Sequence, residues 1–457
     1  MKRRSILFAG GAILFSAALL TAGPLDPPSG AITPTYKTLQ EVEPRTAISD
    51  ATTPGDADSH FRIAKPGSYY LTQGLTVLPG KSGIEIASSN VTIDLGGFVI
   101  GNASTLPSIR LVGGGRTHLT IRNGTLNAGL GDAIDIAPNG AADADLTVGG
   151  LIEHINIANP AGAGIRAGNG IAIRNCSVFS AGAGGIITSS NATITGCMVG
   201  ESTGLGIYTN QGAVITDTTV HTSSSYGIET VNSATIRGCT SMKNSAGGYK
   251  AGRGSTVVDC VSRENGTYGF FVTGSTVSAC TASMDQYGFR LDWCTTSDCT
   301  AYDVNDTGFI VSEGTIRNSY AQSCGSSGFS GDNTSIFDCT AYANAGSGIL
   351  LFYSSVARGN LCTDNGTSGT GAGIEVRFDD NRLDGNTCVD NPIGVWIKAT
   401  GNIVTRNTAS GNSTNWNIFA NNSVAPIVIT NKTNSAINGD TGGGSLGSSD
   451  PSANFTY

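Results

Sequence analysis

The stretch GIITSSNATITGCMVGESTGL, residues 185–205, reads as one complete turn of a stacked fold. Ile186 and Thr188 alternate with Ile187 and Ser189, the two-residue period of a strand with one face buried. Ala192-Thr193-Ile194-Thr195 is a second short run, and Cys197-Met198-Val199 opens a third. Ser190-Asn191, Gly196 and Gly200 to Gly204 separate the three runs and are turn-prone. The opening phrase, Gly-Ile-x-x, also begins at Gly83, Ser108, Ala133, Gly164, Gly206, Gly227, Gly248, Gly269, Gly288, Gly308, Gly328, Gly348, Gly373 and Gly394. From Gly164 to Gly248 each step is 21 residues; from Gly269 to Gly348 the steps are 19, then 20, 20 and 20. Such a period marks a repeat architecture, in which a unit buries its apolar side only against its neighbours.

Stacking the units puts Ile165, Ile186, Ile207 and Ile228 in one interior column and Ile173, Ile194, Ile215 and Ile236 in another. Each strand then finds hydrogen-bond partners in the turns above and below. The fold class this predicts is all-β: a single-stranded parallel β-helix, or solenoid, of about 15 rungs with three short strands per rung and an N-terminal cap. The chirality of parallel crossovers makes it right-handed, and at roughly 4.8 Å per rung it is a rod of about 70 Å. Asn244, Asn265, Asn305, Asn344 and Asn365 recur at a turn, where stacked amides can bond along the axis. The domain reading is 1–22 signal peptide, 23–66 N-terminal segment and cap, 67–430 β-helix, and 431–457 Gly/Ser-rich tail. Asn454-Phe455-Thr456-Tyr457 is placed to fold back as a plug, and insertions after Ser108, after Ala133 and near Gly366 to Gly371 are expected to project as loops.

Lys2-Arg3-Arg4, the apolar run Ile6 to Leu20, and Thr21-Ala22-Gly23 have the layout of an export signal. The mature protein is therefore expected to be secreted, periplasmic or on the cell surface, with no membrane span. Losing that segment leaves 23 basic against 34 acidic residues, a poor balance for nucleic-acid binding. Eleven cysteines in an exported chain would ordinarily suggest disulfides. Their spacing suggests a column instead: Cys176, Cys197, Cys239, Cys260, Cys280, Cys299 and Cys339 each fall 11 or 12 residues into their rungs, and Cys362 and Cys388 follow in lengthened ones. The expectation is a stack of buried free thiols behaving as small hydrophobes.

GIEIASSNVTIDLGG (83–97), GIRAGNGIAIRNC (164–176) and GIETVNSATIRGC (227–239) resemble the pectin-lyase-like superfamily of right-handed β-helix proteins, over about residues 67–430. Within it, the leader TLQEVEPRTAI (38–48), the rungs and the terminal NFTY (454–457) resemble bacterial secreted β-helix proteins known mainly as genome sequences. The resemblance implies the fold and leaves the reaction open, since members include lyases, hydrolases, epimerases, tailspikes and proteins without known activity. The polygalacturonase-type hydrolases of this fold use Asn-x-Asp, an Asp pair, Gly-His-Gly and Arg-x-Lys. Here none of His60, His118, His154 and His221 lies between glycines, Asp379-Asp380 lacks a histidine partner, and Trp396 stands where the arginine before Lys398 should be. That mechanism is excluded. No cluster of acids suggests a calcium site, so neither metal nor cofactor is expected.

In enzymes that the resemblance brings to mind, the strand beginning Gly-Ile lines the substrate groove, with the second and fourth residues after the glycine facing out. Glu85, Arg110, Asp135 and Arg166 then read as charges alternating along a parallel sheet. Further along, Tyr208, Phe271 and Phe352 alternate with Glu229, Lys250, Arg290, Asp292 and Asp332. Rings that stack on sugar faces, set among groups that bind hydroxyls or uronates, make a polysaccharide or cell-surface glycan the expected partner. In a uronate lyase Lys250 would be the base and Arg290, two rungs away, would neutralise the carboxylate. Glu229 opposes that role because an adjacent anion raises a lysine pKa. In a hydrolase Asp292 and Asp332, also two rungs apart, would be the acid pair. The alternative is a non-catalytic surface or matrix protein for structure or adhesion.

Overall fold

The computed structural model describes residues 44–137, 147–429 and 449–457. The proposed signal peptide and residues 23–43 of the cap segment lie outside the described residues. The described residues between Arg45 and Tyr457 belong to one unit, a solenoid. In the rung quoted above, Gly184–Thr188, Thr193–Thr195 and Met198–Gly200 are the three strands, and Ile186, Ile194 and Val199 are fully buried. Asn191, Gly196 and Glu201 turn the chain between them with φ of 59°, 63° and 56°. Asparagine and glycine tolerate that left-handed conformation best. Gly185 has a different reason to be glycine: a Cβ there would lie 2.2 Å from Val199 Cγ1 and 2.6 Å from the Gly206 carbonyl. The repeated Gly-Ile phrase thus marks the corner where the first strand crosses close over the third.

The Gly-Ile strands stack as a sheet of 17 parallel strands, and the second and third strands of the rungs form a connected sheet of 34. Seventeen exceeds the fifteen phrases because Ser59–Ile63 and Thr414–Ile418, which lack the phrase, add a rung at each end. The stacks also reach beyond 67–430. Thr46–Ala47 pairs with Gly67–Tyr70, and Asn454–Thr456 returns to pair with both Thr408–Ala409 and Ile427–Ile429. Of the three insertions expected to project, part of the second, residues 138–146, lies outside the described residues, and in the third Thr367 to Thr370 are exposed.

The isoleucine column stacks in register from Ile134 through Ile165, Ile186 and Ile207 to Ile228. It continues as an aromatic ladder, Tyr249, Phe270, Phe289, Phe309 and Phe329, before returning to aliphatic residues at Ile349. Neighbouring rings are parallel within 8° at centroid separations of 4.6–4.9 Å, the rung spacing itself. The buried Tyr249 hydroxyl donates to the Cys239 carbonyl at 2.6 Å.

All eleven cysteines are free and buried. Cys197, Cys239 and Cys260 share one turn column, each thiol donating to the carbonyl two residues before it. Cys362 and Cys388 do not belong to it. They sit in register on neighbouring rungs of the third-strand stack as free thiols, and Asn360 and Asn386 take the turn column after Cys339. The amide column read from Asn244 also needs one change. Asn265, Asn344 and Asn365 belong to it, but Val304 occupies the buried position beside the exposed Asn305.

These ladders satisfy turn backbone that water cannot reach. Asn386 Oδ1 accepts from the Asn360 backbone N–H and side-chain amide at 3.0 and 2.9 Å, while its own amide donates to the Ala357 carbonyl and Asn407 Oδ1, both at 2.8 Å. Asn386→Ala strands several of these groups at once, and is expected to cost about 3 kcal/mol in chemical denaturation. Asn305→Ala, at an exposed position in the turn after a third strand and outside the ladders, is expected to stay within about 0.5 kcal/mol.

Candidate functional site

The outward residues of the first sheet stack as the period requires. Tyr208 pairs with Glu229, Glu229 with Lys250, Lys250 with Phe271, and Phe271 with Arg290. Asp292, Ser312 and Asp332 are consecutive in the fourth-position column. Phe352, on the next rung, bonds through its backbone N–H to the Gly331 carbonyl. All eight candidate residues are therefore half-buried on one face. They fall into two groups, Tyr208 to Asp292 and Asp332 with Phe352, joined by Ile310, Ser312 and Ser330.

In the first group Lys250 Nζ bonds Glu229 Oε1 at 2.8 Å and lies 5.6 Å from the Tyr226 ring. The Glu229 hydrogen bond raises the Lys250 pKa, with burial opposing it only in part. Arg290 Nε lies 3.4 Å from Asp292 Oδ1, so this cation too has an acid partner, here on its own strand. Three tyrosines that the period does not single out complete the surface. Tyr226, Tyr268 and Tyr287 stand immediately before the repeated glycine, where these rungs start their first strand early. Tyr268 packs 5.3 Å from Tyr287 and 5.7 Å from Phe271, making a continuous aromatic patch beside Lys250 and Arg290. Burial raises the Tyr226 pKa, and the Asp306 charge raises that of Tyr287, so both hydroxyls stay protonated and able to donate.

The second group opens into a hollow of about 330 Å³ lined by Ile310, Val311, Ser312, Ser330, Asp332, Phe352 and Tyr353. Tyr353 stacks on Phe378 at 4.3 Å and 7°, and both rings are exposed. One rung beyond, the buried Glu375 accepts from Lys398 at 2.7 Å, Ser347 at 2.6 Å and Arg377 at 3.1 Å. Burial pushes the Glu375 pKa up, but these bonds outweigh it and the net shift is downward. Lys398 also sits 3.5 Å over the Trp396 ring, so the residue in place of the missing arginine engages the strand's own lysine.

At the N-terminal end the alternating charges hold in part. Glu85 is buried between Arg62, 3.3 Å away, and Arg110, whose Nε donates at 2.8 Å. Arg166, however, turns away from Asp135 to bond Asp132 at 3.0 Å. Among the described residues no three His, Cys, Asp or Glu side chains are placed to hold a metal ion.

The family profile described as "Right handed beta helix region" matches residues 107–262, 161–289 and 249–412, which together cover more than half the chain. The chain belongs to the right-handed β-helix family. No curated protein matches its sequence. Solved structures similar to it include the A-module of the mannuronan C-5 epimerase AlgE4 of Azotobacter vinelandii, at 15% identity over 74% of this chain and 91% of that one, with a TM-score of 0.33. Others are the periplasmic alginate epimerase AlgG, at 10% identity over 78% and 83% with a TM-score of 0.34, and PfbA, a surface adhesin of Streptococcus pneumoniae, at 11% over 74% and 82% with 0.27. Likenesses this distant assign no activity.

Proposed function

We propose that this β-helix is an exported polysaccharide-binding protein whose first sheet takes a glycan chain along the rod axis. The observation that carries the reading is the registered face itself. Tyr208, Tyr226, Tyr268, Phe271 and Tyr287 surround two ion pairs, Glu229–Lys250 and Arg290–Asp292, on successive rungs. Aromatic faces gain by packing against the C–H face of a sugar ring, and fixed charged groups bind hydroxyls. The stacked ladder beneath holds the face rigid, so little ordering is required on binding.

Lys250 and Arg290 serve recognition in this reading. A uronate lyase would need Lys250 to lose its proton near neutral pH, and the bond to Glu229 works against that. Asp332 and Phe352 extend the binding surface. Export rests on the layout of residues 1–22. Binding without turnover also suits a surface or matrix role in adhesion.

A panel of acidic and neutral glycans tests the proposal. Binding is expected, with Phe271→Ala weakening it about tenfold or more at unchanged thermal stability. Unsaturated uronate products, seen by ultraviolet absorbance and lost in Lys250→Ala, would instead establish the lyase. No binding to any glycan would remove the proposal.

A further inference from the structure

We infer that the glycan taken by this face is uncharged: the hollow beside Asp332 suits the hydroxyls and ring faces of a neutral sugar and works against a polyuronate. The inference rests on the carbohydrate reading above and concerns its substrate class.

No cation lines the hollow, whose polar side chains are those of Ser312, Ser330, Asp332 and Tyr353. Asp332 lines the opening and has no ion pair among the described residues; its Oδ1 accepts the Tyr353 backbone N–H at 3.3 Å. A carboxylate so placed accepts hydrogen bonds from sugar hydroxyls and repels a uronate carboxylate. The exposed Tyr353–Phe378 stack and the half-buried Phe352 supply ring platforms at the same place.

The cations nearby are already engaged. Arg377 sits 5.7 Å from the Phe352 ring but bonds Glu375, as does Lys398. Lower on the face Lys250 is held by Glu229, and Arg290 by Asp292. At the second and fourth positions after the repeated glycine, from Tyr208 to Lys398, the four acids, Glu229, Asp292, Asp332 and Glu375, equal the four cations, Lys250, Arg290, Arg377 and Lys398. A chain with one carboxylate per sugar therefore meets no net attraction, and would have to displace built partners from half-buried positions. A neutral chain displaces none.

Calorimetric titration tests this with short cello-, xylo- and manno-oligosaccharides against oligogalacturonate and oligomannuronate, each at low and physiological salt. At least one neutral series is expected to bind about tenfold or more tightly than either acidic series, with little salt dependence. Asp332→Ala and Tyr353→Ala, with folding checked by circular dichroism, are each expected to lose about tenfold of that affinity. Tighter binding of the acidic oligomers, weakening with salt, would overturn the inference and leave the carbohydrate reading intact. Neutral binding untouched by either variant would overturn the assignment to the hollow. Binding to none of the oligomers would overturn the carbohydrate reading and this inference with it.

Discussion

Asp285→Asn is expected to stabilise the solenoid by about 3 kcal/mol near neutral pH, an unusual gain for a single substitution. Asp285 is fully buried in the turn column that begins with Asn244 and Asn265. Its Oδ1 does what an asparagine oxygen does there, accepting from the Asn265 backbone N–H at 2.8 Å and the Asn265 amide at 2.9 Å. Its Oδ2 has no partner. The corresponding atom of Asn265 is an amide nitrogen, which donates to the Ser241 carbonyl and the Ser262 hydroxyl. A carboxylate cannot donate, and desolvation pushes the Asp285 pKa up from 3.8 to about 6.

The folded state therefore holds this proton more tightly than the unfolded chain. Stability from this group is fully present below about pH 4, falls as pH rises toward 6, and is lost above it. At about 1.4 kcal/mol per pKa unit, the penalty near pH 7 is about 3 kcal/mol. Asp285→Asn supplies the missing donor and removes the charge. Thermal unfolding at pH 4 and above pH 7 should show the wild type losing stability across that range and the variant not. Equal pH dependence in the two proteins would mean that Asp285 is not an ionised, desolvated carboxylate.

Phe289→Ala is expected to cost about 3–5 kcal/mol. Phe289 is wholly buried, with ring centroids 4.7 Å from Phe270 and 4.6 Å from Phe309. The substitution opens a ring-sized cavity and interrupts the ladder, and each lost stacking contact adds about 0.5–1.5 kcal/mol beyond burial. Rungs on both sides contact Phe289, so neither can collapse into the gap without leaving register with its own neighbour. Arg290 follows it on the outer face, and glycan affinity should fall together with the denaturation midpoint. Phe289→Leu, which keeps most of the volume, is expected to recover more than half of the stability.

Much of this was legible in the sequence. The constant step from Gly164 to Gly248 fixed which side chains share a column, and the outward face from Tyr208 to Arg290 follows from it. The aromatic ladder was equally present, in Tyr249, Phe270, Phe289, Phe309 and Phe329 directly after their glycines. Errors arose where the step changes. Asp285 to Val304 is 19 residues, which moves Asn305 out of the amide column. Cys362 and Cys388 misled for a chemical reason: the turn column and the interior of the third strand both accept a small buried side chain, so cysteine alone does not distinguish them. Tyr226, Tyr268 and Tyr287 escaped notice because the residue before the repeated glycine reads as turn, whereas here it opens the strand. The choice of Asp132 over Asp135 by Arg166 depends on rotamers and loop path, which no period encodes.

The central claim is that one face of the rod binds glycan, and hydroxyl-radical footprinting with and without a saturating oligosaccharide tests it most directly. Tyr226, Tyr268, Phe271 and Tyr353 should be protected, while Tyr302 and Tyr342, exposed on the third-strand stack, keep their reactivity. Measurable binding that protects Tyr302 and Tyr342 instead, or leaves the first-sheet rings unprotected, would contradict it.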